Sequence, residues 1–369
     1  MIDSYPPVVI ENSSCNIRAG IVGDSAPRCC FPTEVKKLRD CKQKRILIGN
    51  DIEDNLQNYQ TCYPIQFGQI TDWEAMEQIW HYIFETQLKI SPSNHPVLLT
   101  KAPRNPKINQ EKTTQFMFEN FEVPFLHISY QTVLSLYSLG KTTGVILDSG
   151  EGITNCVPIY EGFQLSSQLQ RLDVAGSSCT NYLSLLLKDE FLNISTPSQR
   201  NKIAKDIKES LCYVAQDPIA EDNKYLGNTS NYSQHILPDG YKLTIKEQKY
   251  QCPEILFNPK IAGYEMPGIH QITYKSIFQS DRDIQQQLYN NIVITGGTTL
   301  FPGLQDRLVK EINNLVQSPQ TRVLVPPNRL NSTWIGGSIV STLMNFKPFW
   351  ITKHEYEEFG PQIAHIKCF

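Results

Sequence analysis

This sequence has no apolar run of membrane-spanning length and no basic surplus. Its 34 Lys and Arg stand against 37 Asp and Glu, a formal net charge of −3 in 369 residues. The first absence argues against a membrane-embedded chain. The second argues against direct nucleic-acid binding, because neutralising phosphates takes a clustered excess of cations. Ten cysteines are present, but no CxxC pair and no regular spacing. Cys29 and Cys30 are adjacent, which suits neither a zinc site nor an ordinary disulfide, so reduced thiols in a cytoplasmic or nuclear setting are expected. The opening MIDSYPPVV lacks the basic stretch and apolar core of a secretion signal, so the sequons at Asn193, Asn228, Asn231 and Asn331 are expected to stay unmodified. What the chain does have is length, enough for two domains with cores of their own.

The stretch Gly144–Tyr160, GVILDSGEGITNCVPIY, sets a carboxylate at the end of an apolar strand and then removes side chains. Asp148 follows Val145, Ile146 and Leu147, and Gly150 and Gly152 bracket Glu151 before a second extended run, Asn155–Tyr160. The pattern reads as two strands joined by a tight turn. Glycines with positive φ there would let main-chain N–H groups converge on an anion. An acid beside such a nest repels phosphate unless a cation intervenes, so Asp148 suggests Mg²⁺ with a nucleotide. A plain hairpin with a turn acid is the alternative while the stretch stands alone. A second copy opens the chain: Val8, Val9 and Ile10 run into Glu11, then Asn12 to Cys15, then a strand ending at Ala19-Gly20-Ile21. Two such hairpins suggest a duplicated domain gripping one ligand between its halves. A third element, the strand Asn291–Thr295, the turn Gly296-Gly297 and a helix striped by Leu304, Leu308 and Ile312, offers a close backbone approach and a helix N-terminus.

Elsewhere Thr71-Asp72-Trp73-Glu74 reads as a capping box ahead of a helix whose Met76, Ile79, Trp80, Ile83 and Phe84 form a core stripe. The strand Phe125–Ile128 feeds a helix opening at Ser129. Gln131 lies in its first turn, where a neutral amide can donate to and accept from a water. In a later helix Ile203, Ile207, Leu211 and Val214 form the buried stripe, which leaves Lys208 and Glu209 as surface charges on pattern alone. Residues 216–240 read as a polar, irregular surface insertion. Lys36–Arg45 is basic: a solvated loop, or a surface for an acidic partner.

Several stretches carry a more specific likeness: GDSAPR (Gly23–Arg28), PVLLTKAP (Pro96–Pro103), QTVLSLY (Gln131–Tyr137), VPIYEG (Val157–Gly162), IKESLCYVA (Ile207–Ala215), GGTTLFPG (Gly296–Gly303), WIGGSI (Trp334–Ile339) and the terminal Lys367-Cys368-Phe369. Over nearly its whole length the chain resembles actin and the actin-related proteins. That resemblance implies an α/β, actin-like ATPase fold: duplicated ribonuclease-H-like domains, each with a small subdomain, closing on ATP or ADP and Mg²⁺ in a cleft. The halves would be 1–138 with 333–369, and 139–332, with small subdomains at about 33–67 and 177–264. Carried over by resemblance, Ser14 and Arg18 contact phosphates from the first hairpin, and Ser149, Gly150, Glu151 and Gly152 from the second. Glu11, Gln131 and Asp148 hold the metal through water. Gly176, Lys208, Glu209, Gly296, Gly297 and Phe301 surround the nucleoside.

Some positions depart from the family pattern. Glu11 replaces an aspartate. Ser13 and Cys15 stand where the first loop has glycines, so any positive φ there would carry a steric cost. Asn155 takes the place of a histidine that helps orient the attacking water, and Leu330 that of a lysine beside the adenine. With Gln131, Asp148, Glu11 and Asn155 as the catalytic set, binding is expected and hydrolysis is expected to be slow. The segment between Arg39 and Gly49 is shorter than in conventional actins and lacks the apolar tip by which filament subunits grip one another. Ile261–Met266 still resembles the apolar plug between filament strands. Tyr137, Val340, Leu343 and Phe349 resemble a groove for an amphipathic partner helix. The expectation is a divergent cytoskeletal or complex-embedded subunit among other actin-fold proteins, cytoplasmic, with cilium and nucleus open. The rivals are a filament-forming actin with assembly-coupled ATPase, and a nucleotide-independent subunit of a dynein, dynactin-like or chromatin-remodelling complex.

Overall fold

The computed structural model describes residues 5–38, 46–49, 59–191, 194, 196–225, 231–237, 240–316 and 321–368. Most of the basic segment after Leu38, the shortened filament loop and the sequons at Asn193 and Asn228 lie outside them. The chain divides into two compact units, Met1–Thr142 with Ile159–Gln164 and Leu330–Phe369, and Thr143–Pro158 with Leu165–Arg329.

The first unit is built on a sheet in the order Ile351–Thr352, Phe125–Tyr130, Val97–Lys101, Val8–Glu11, Asn16–Ile21, Cys29–Pro32. Val8–Glu11 pairs antiparallel with Asn16–Ile21 and parallel with Val97–Lys101, which pairs parallel with Phe125–Tyr130. The central strands VVIE and VLLTK are buried along their whole length, as strands covered on both faces must be. The edge strand Cys29–Pro32 alternates buried and exposed. In the second unit the strand Thr154–Tyr160, through Pro158, lies beside Gly144–Ser149, which pairs parallel with Ile292–Thr295, itself parallel with Val323–Leu324. Each unit therefore repeats one plan: an acid-ended strand with a neighbour reached by a short turn on one side, and on the other a parallel strand followed by a second parallel strand. That is the duplication expected from the two hairpins.

Local differences have physical causes. The helix Trp73–His81 is capped by Asp72, whose carboxylate accepts from the Ala75 N–H, while Thr71 turns its hydroxyl to Pro64 O; the cap sits one residue later than the capping-box reading placed it. Its expected stripe of Met76, Ile79, Trp80, Ile83 and Phe84 is buried. The strand Phe125–Tyr130 runs two residues further than expected, so the helix Gln131–Tyr137 begins at Gln131 itself. The 216–240 stretch is more regular than its polarity suggested. It contains the helix Pro218–Tyr225 and the strand Ser233–Ile236, which pairs with Lys242–Ile245, and Tyr225 packs with Tyr250 and Ala215 in a small core of its own. Among the described residues no helix is long and apolar enough to cross a membrane.

Candidate functional site

In the first unit the turn after Glu11 is shaped by hydrogen bonds rather than by glycine. The Asn12 N–H donates to Thr100 Oγ1 at 2.9 Å, and the Trp80 indole donates to Asn12 Oδ1 at 3.4 Å. Thr33 Oγ1 donates to Ser13 O at 2.6 Å. None of Asn12, Ser13, Ser14 or Cys15 has a positive φ, so the steric cost foreseen for Ser13 and Cys15 does not arise. Ser14 Oγ accepts from the Gly68 N–H at 2.9 Å, which leaves its own proton to donate. Arg18 stands opposite Glu11 in the hairpin register, its Nη1 3.5 Å from Glu11 Oε1, with both side chains mostly buried. Gln131 Nε2 donates to Asn12 O at 2.6 Å and lies 3.4 Å from Thr100 Oγ1. One amide thus fastens a helix start to the turn behind the acid, with its carbonyl oxygen outside those bonds. The unit brings Glu11, Ser14, Arg18 and Gln131 onto one framework.

In the second unit Asp148 lies beside Thr295 in the parallel ladder and accepts from its hydroxyl at 3.1 Å. The following turn closes by Gly150 N–H to Ile153 O at 3.0 Å, and neither Gly150 nor Gly152 has the positive φ that the nest reading expected. Two other glycines carry the close approach. Gly296 has φ +86°, and a Cβ there would sit 2.2 Å from Ser149 O and 2.8 Å from Asp148 Oδ1. A Cβ on Gly176 would come within 2.8 Å of both Glu151 Oε2 and Thr298 Oγ1. The Gly176 and Ser177 N–H groups donate to Gly150 O and Glu151 O at 3.1 and 2.8 Å, which sets the start of the helix Gly176–Leu186 against the turn. Thr298 Oγ1 also donates to Gly150 O, at 2.7 Å.

Side chains divide sharply here. Thr154 donates its only hydroxyl proton to Val174 O at 2.8 Å, so the 2.7 Å bond between Ser149 Oγ and Thr154 Oγ1 must use the proton of Ser149. The buried Ser149 side chain therefore has no proton left for a phosphate. Lys208 is not the surface charge its pattern suggested. It is 5 % exposed, and its Nζ donates to Gly176 O at 3.0 Å and Thr180 Oγ1 at 2.9 Å, with Glu151 3.9 Å away. A lysine can bury its aliphatic stem in this way and still place its ammonium among acceptors. Glu209 faces solvent, Phe301 is buried, and Asn155 is buried in a strand opposite Arg171. Arg329 donates to Thr299 O at 2.9 Å, and burial lowers its pKa. Pattern reasoning missed Asn12, Thr100, Thr154, Thr295 and Thr298. Three had a signal, since Thr100, Thr154 and Thr298 lie inside the quoted PVLLTKAP, Gly144–Tyr160 and GGTTLFPG stretches.

The donor set fits a nucleotide with a divalent cation. In the second unit the Asp148 carboxylate lies one residue from the end of its strand, a buried ammonium stands beside Gly176, and added Cβ atoms at Gly176 and Gly296 would crowd neighbouring oxygens. The family model described as Actin matches residues 2–369. The chain belongs to the actin family. An actin-like protein of Neurospora crassa is 41 % identical over 372 residues, which cover 98 % of this chain and 97 % of that one. The actin-family fold generally binds nucleotide with a divalent cation, and its members typically sit in multiprotein assemblies. Of the four residues expected to line a partner groove, Val340 is not on the surface. Val340 is 3 % exposed and belongs with Trp334, Trp350 and Leu134 in a core, with Tyr137 packed against it. Leu343 and Met344, 45 % and 77 % exposed, present the apolar surface, with Phe349 at its margin.

Proposed function

We propose that this actin-family chain binds ATP or ADP with Mg²⁺ chiefly as a structural ligand, hydrolyses ATP slowly, and works as a cytoplasmic or cytoskeletal subunit of a larger assembly. The observation that carries the reading is Gly296. Its positive φ, and the lack of room for a side chain where an added Cβ would sit 2.2 Å from Ser149 O and 2.8 Å from Asp148 Oδ1, set a glycine turn against the strand that carries the acid. On this reading the main-chain N–H groups of Glu151 and Gly152 in the second unit face phosphates, Asp148 holds a water of the metal, and Gly176, Lys208, Glu209, Gly296, Gly297 and Phe301 surround the nucleoside. The first unit contributes the Ser14 hydroxyl, Arg18, and the Glu11 and Gln131 oxygens toward the metal's waters. The bound cation would draw charge from the phosphate oxygens. Slow hydrolysis follows from Asn155, whose amide takes up no proton, and from the long Glu11 arm paired with Arg18. Leu343 and Met344 would receive an apolar helix face of a partner.

The test is thermal unfolding of nucleotide-stripped protein with and without ATP and Mg²⁺. A ligand that binds only the folded state stabilises by about 2.7 kcal/mol at a hundredfold excess over its dissociation constant. An upward shift supports the reading. Its absence at millimolar ATP points to the nucleotide-independent subunit instead. A filament-forming ATPase is the second reading, favoured by Ile261, 43 % exposed on the turn Pro259–Ala262. Tyr264 and Met266 weaken it, since both pack against their own core. Sedimentation with phosphate release measured on the same samples decides between the two.

A further inference from the structure

Two segments that this reading sets around the nucleoside are fastened together by a buried arginine lying outside both. The helix Pro197–Leu211, with Lys208 and Glu209, continues as an extended segment to Gln216. The turn Gly297–Leu300 continues through Phe301 into the helix Leu304–Val316. The continuations are zipped to each other: Val214 N–H donates to Pro302 O at 2.8 Å, Gln216 Nε2 to Gly303 O at 2.8 Å, and Lys310 Nζ to Gln216 O at 2.8 Å. At the centre is Arg307, 6 % exposed, whose Nη1 donates to Ala215 O at 2.6 Å. Glu254 receives both terminal nitrogens at 3.2 and 3.0 Å, Glu311 receives Nε at 2.7 Å, and the Phe257 ring centre lies 4.8 Å from the guanidinium carbon. Two carboxylates and a ring face fix the plane of the guanidinium, so its remaining direction is committed to one main-chain carbonyl.

We infer that Arg307 is a positioning residue that sets the spacing between the Lys208–Glu209 helix end and the Gly296–Phe301 turn, and with it selectivity for the base of the nucleotide. The inference rests on the nucleotide reading above. The phosphate-side turn does not depend on Arg307, because the Gly176 and Ser177 N–H groups reach Gly150 O and Glu151 O directly and the turn closes by Gly150 N–H to Ile153 O. A loosened clasp should therefore alter base selectivity and spare triphosphate affinity. Arg307→Lys keeps the charge beside Glu254 and Glu311 and gives up the planar fork. Gln216→Ala removes one bond of the zipper from an exposed side chain, and keeps the test available if the buried variant does not fold.

The experiment compares ATP and CTP, which share a triphosphate and differ in base, by calorimetric titration of nucleotide-stripped full-length protein with Mg²⁺. Wild type should prefer ATP. Arg307→Lys should weaken ATP about tenfold, the size of one charge-assisted hydrogen bond, and leave CTP nearly unchanged, with Gln216→Ala shifting the ratio the same way by less. Equal weakening of both nucleotides would mean a merely structural arginine and would overturn the inference, as would an unchanged ratio or a wild type indifferent to base. Failure of wild type to bind either nucleotide would instead overturn the nucleotide reading itself.

Discussion

Lys101 donates to the main-chain carbonyl of Cys368 at 2.7 Å, bridging residues 267 apart in sequence. The same ammonium donates to Gln110 Oε1 at 2.8 Å and lies 4.2 Å from the centre of the Tyr130 ring, while Gln110 Nε2 reaches Ala364 O and Cys368 O. The last helix is thus tied to the ends of two central strands by one buried cation whose acceptors are uncharged.

That cation makes stability depend on alkaline pH. Burial lowers the Lys101 pKa from 10.5 to about 8. Between these values the unfolded chain holds a proton that the folded chain has released, so stability rises with pH across the window; below it the full cost of a buried charge is present. Against Lys101→Met, wild type should gain up to about 3 kcal/mol of unfolding free energy as pH rises through that window. Urea midpoints at neutral and alkaline pH measure it, and a pH-independent difference between the two proteins would rule it out.

His127 gives the acid-side counterpart. Its ring is buried against Phe346 and Trp350, with Nδ1 3.0 Å from Phe349 O, a partner that requires the neutral ring to carry its proton on Nδ1. Burial, aided by Lys101 and Lys367, pushes its pKa from 6.5 to about 4. In that interval the unfolded chain binds the extra proton, so stability falls as pH falls. Wild type should lose up to about 3 kcal/mol relative to His127→Gln over this range. Parallel denaturation curves at neutral and acid pH for the two proteins would count against it.

Gly296→Ala should abolish stabilisation by ATP and Mg²⁺. Alanine at φ +86° is strained, and its methyl would meet Ser149 O and Asp148 Oδ1, so the turn must move off the acid-ended strand. At φ +86° and ψ 155° the backbone lies in a region essentially restricted to glycine, which alone costs a residue with a Cβ about 1–3 kcal/mol. Gly176→Ala keeps an ordinary φ and meets side-chain oxygens that can shift, so it should retain part of the effect. Thermal shifts with and without nucleotide separate the two; an undiminished shift in Gly296→Ala would remove that turn from the site.

How much of this was legible in the sequence depends on which interaction placed each residue. Strands such as Val8–Glu11 and Gly144–Ser149 announce themselves because a continuous apolar run ending on an acid has few other uses. Gly296 was legible as a turn glycine. Lys208 was not, because its burial depends on acceptors at Gly176 and Thr180 that no local periodicity reveals. The role of Thr100 is equally non-local, since it supports a turn 88 residues earlier. At Ser13 and Cys15 the sequence shows the loss of glycine but not that the turn needs no positive φ, because Thr33 and Thr100 shape it by hydrogen bonding from other parts of the chain.

Asn155 offers the sharpest test of slow hydrolysis. It is buried in the strand Thr154–Tyr160, one residue from the Thr154 hydroxyl that holds Ser149 and seven from Asp148. Its amide can orient a water but cannot take a proton from it, whereas an imidazole can do both. General-base assistance contributes about 10²–10⁴-fold where geometry is good, and a transplanted imidazole should recover only part of that. Asn155→His should therefore raise single-turnover ATP hydrolysis at least about tenfold, a barrier change near 1.4 kcal/mol, with ATP affinity nearly unchanged. The larger ring enters a buried position, so unfolding temperature has to be followed alongside. If the variant folds and binds ATP as tightly but hydrolyses it no faster, residue 155 is not what limits the reaction. The slow step would then trace to the Glu11 and Arg18 pair, and shortening the acid with Glu11→Asp should restore the rate instead.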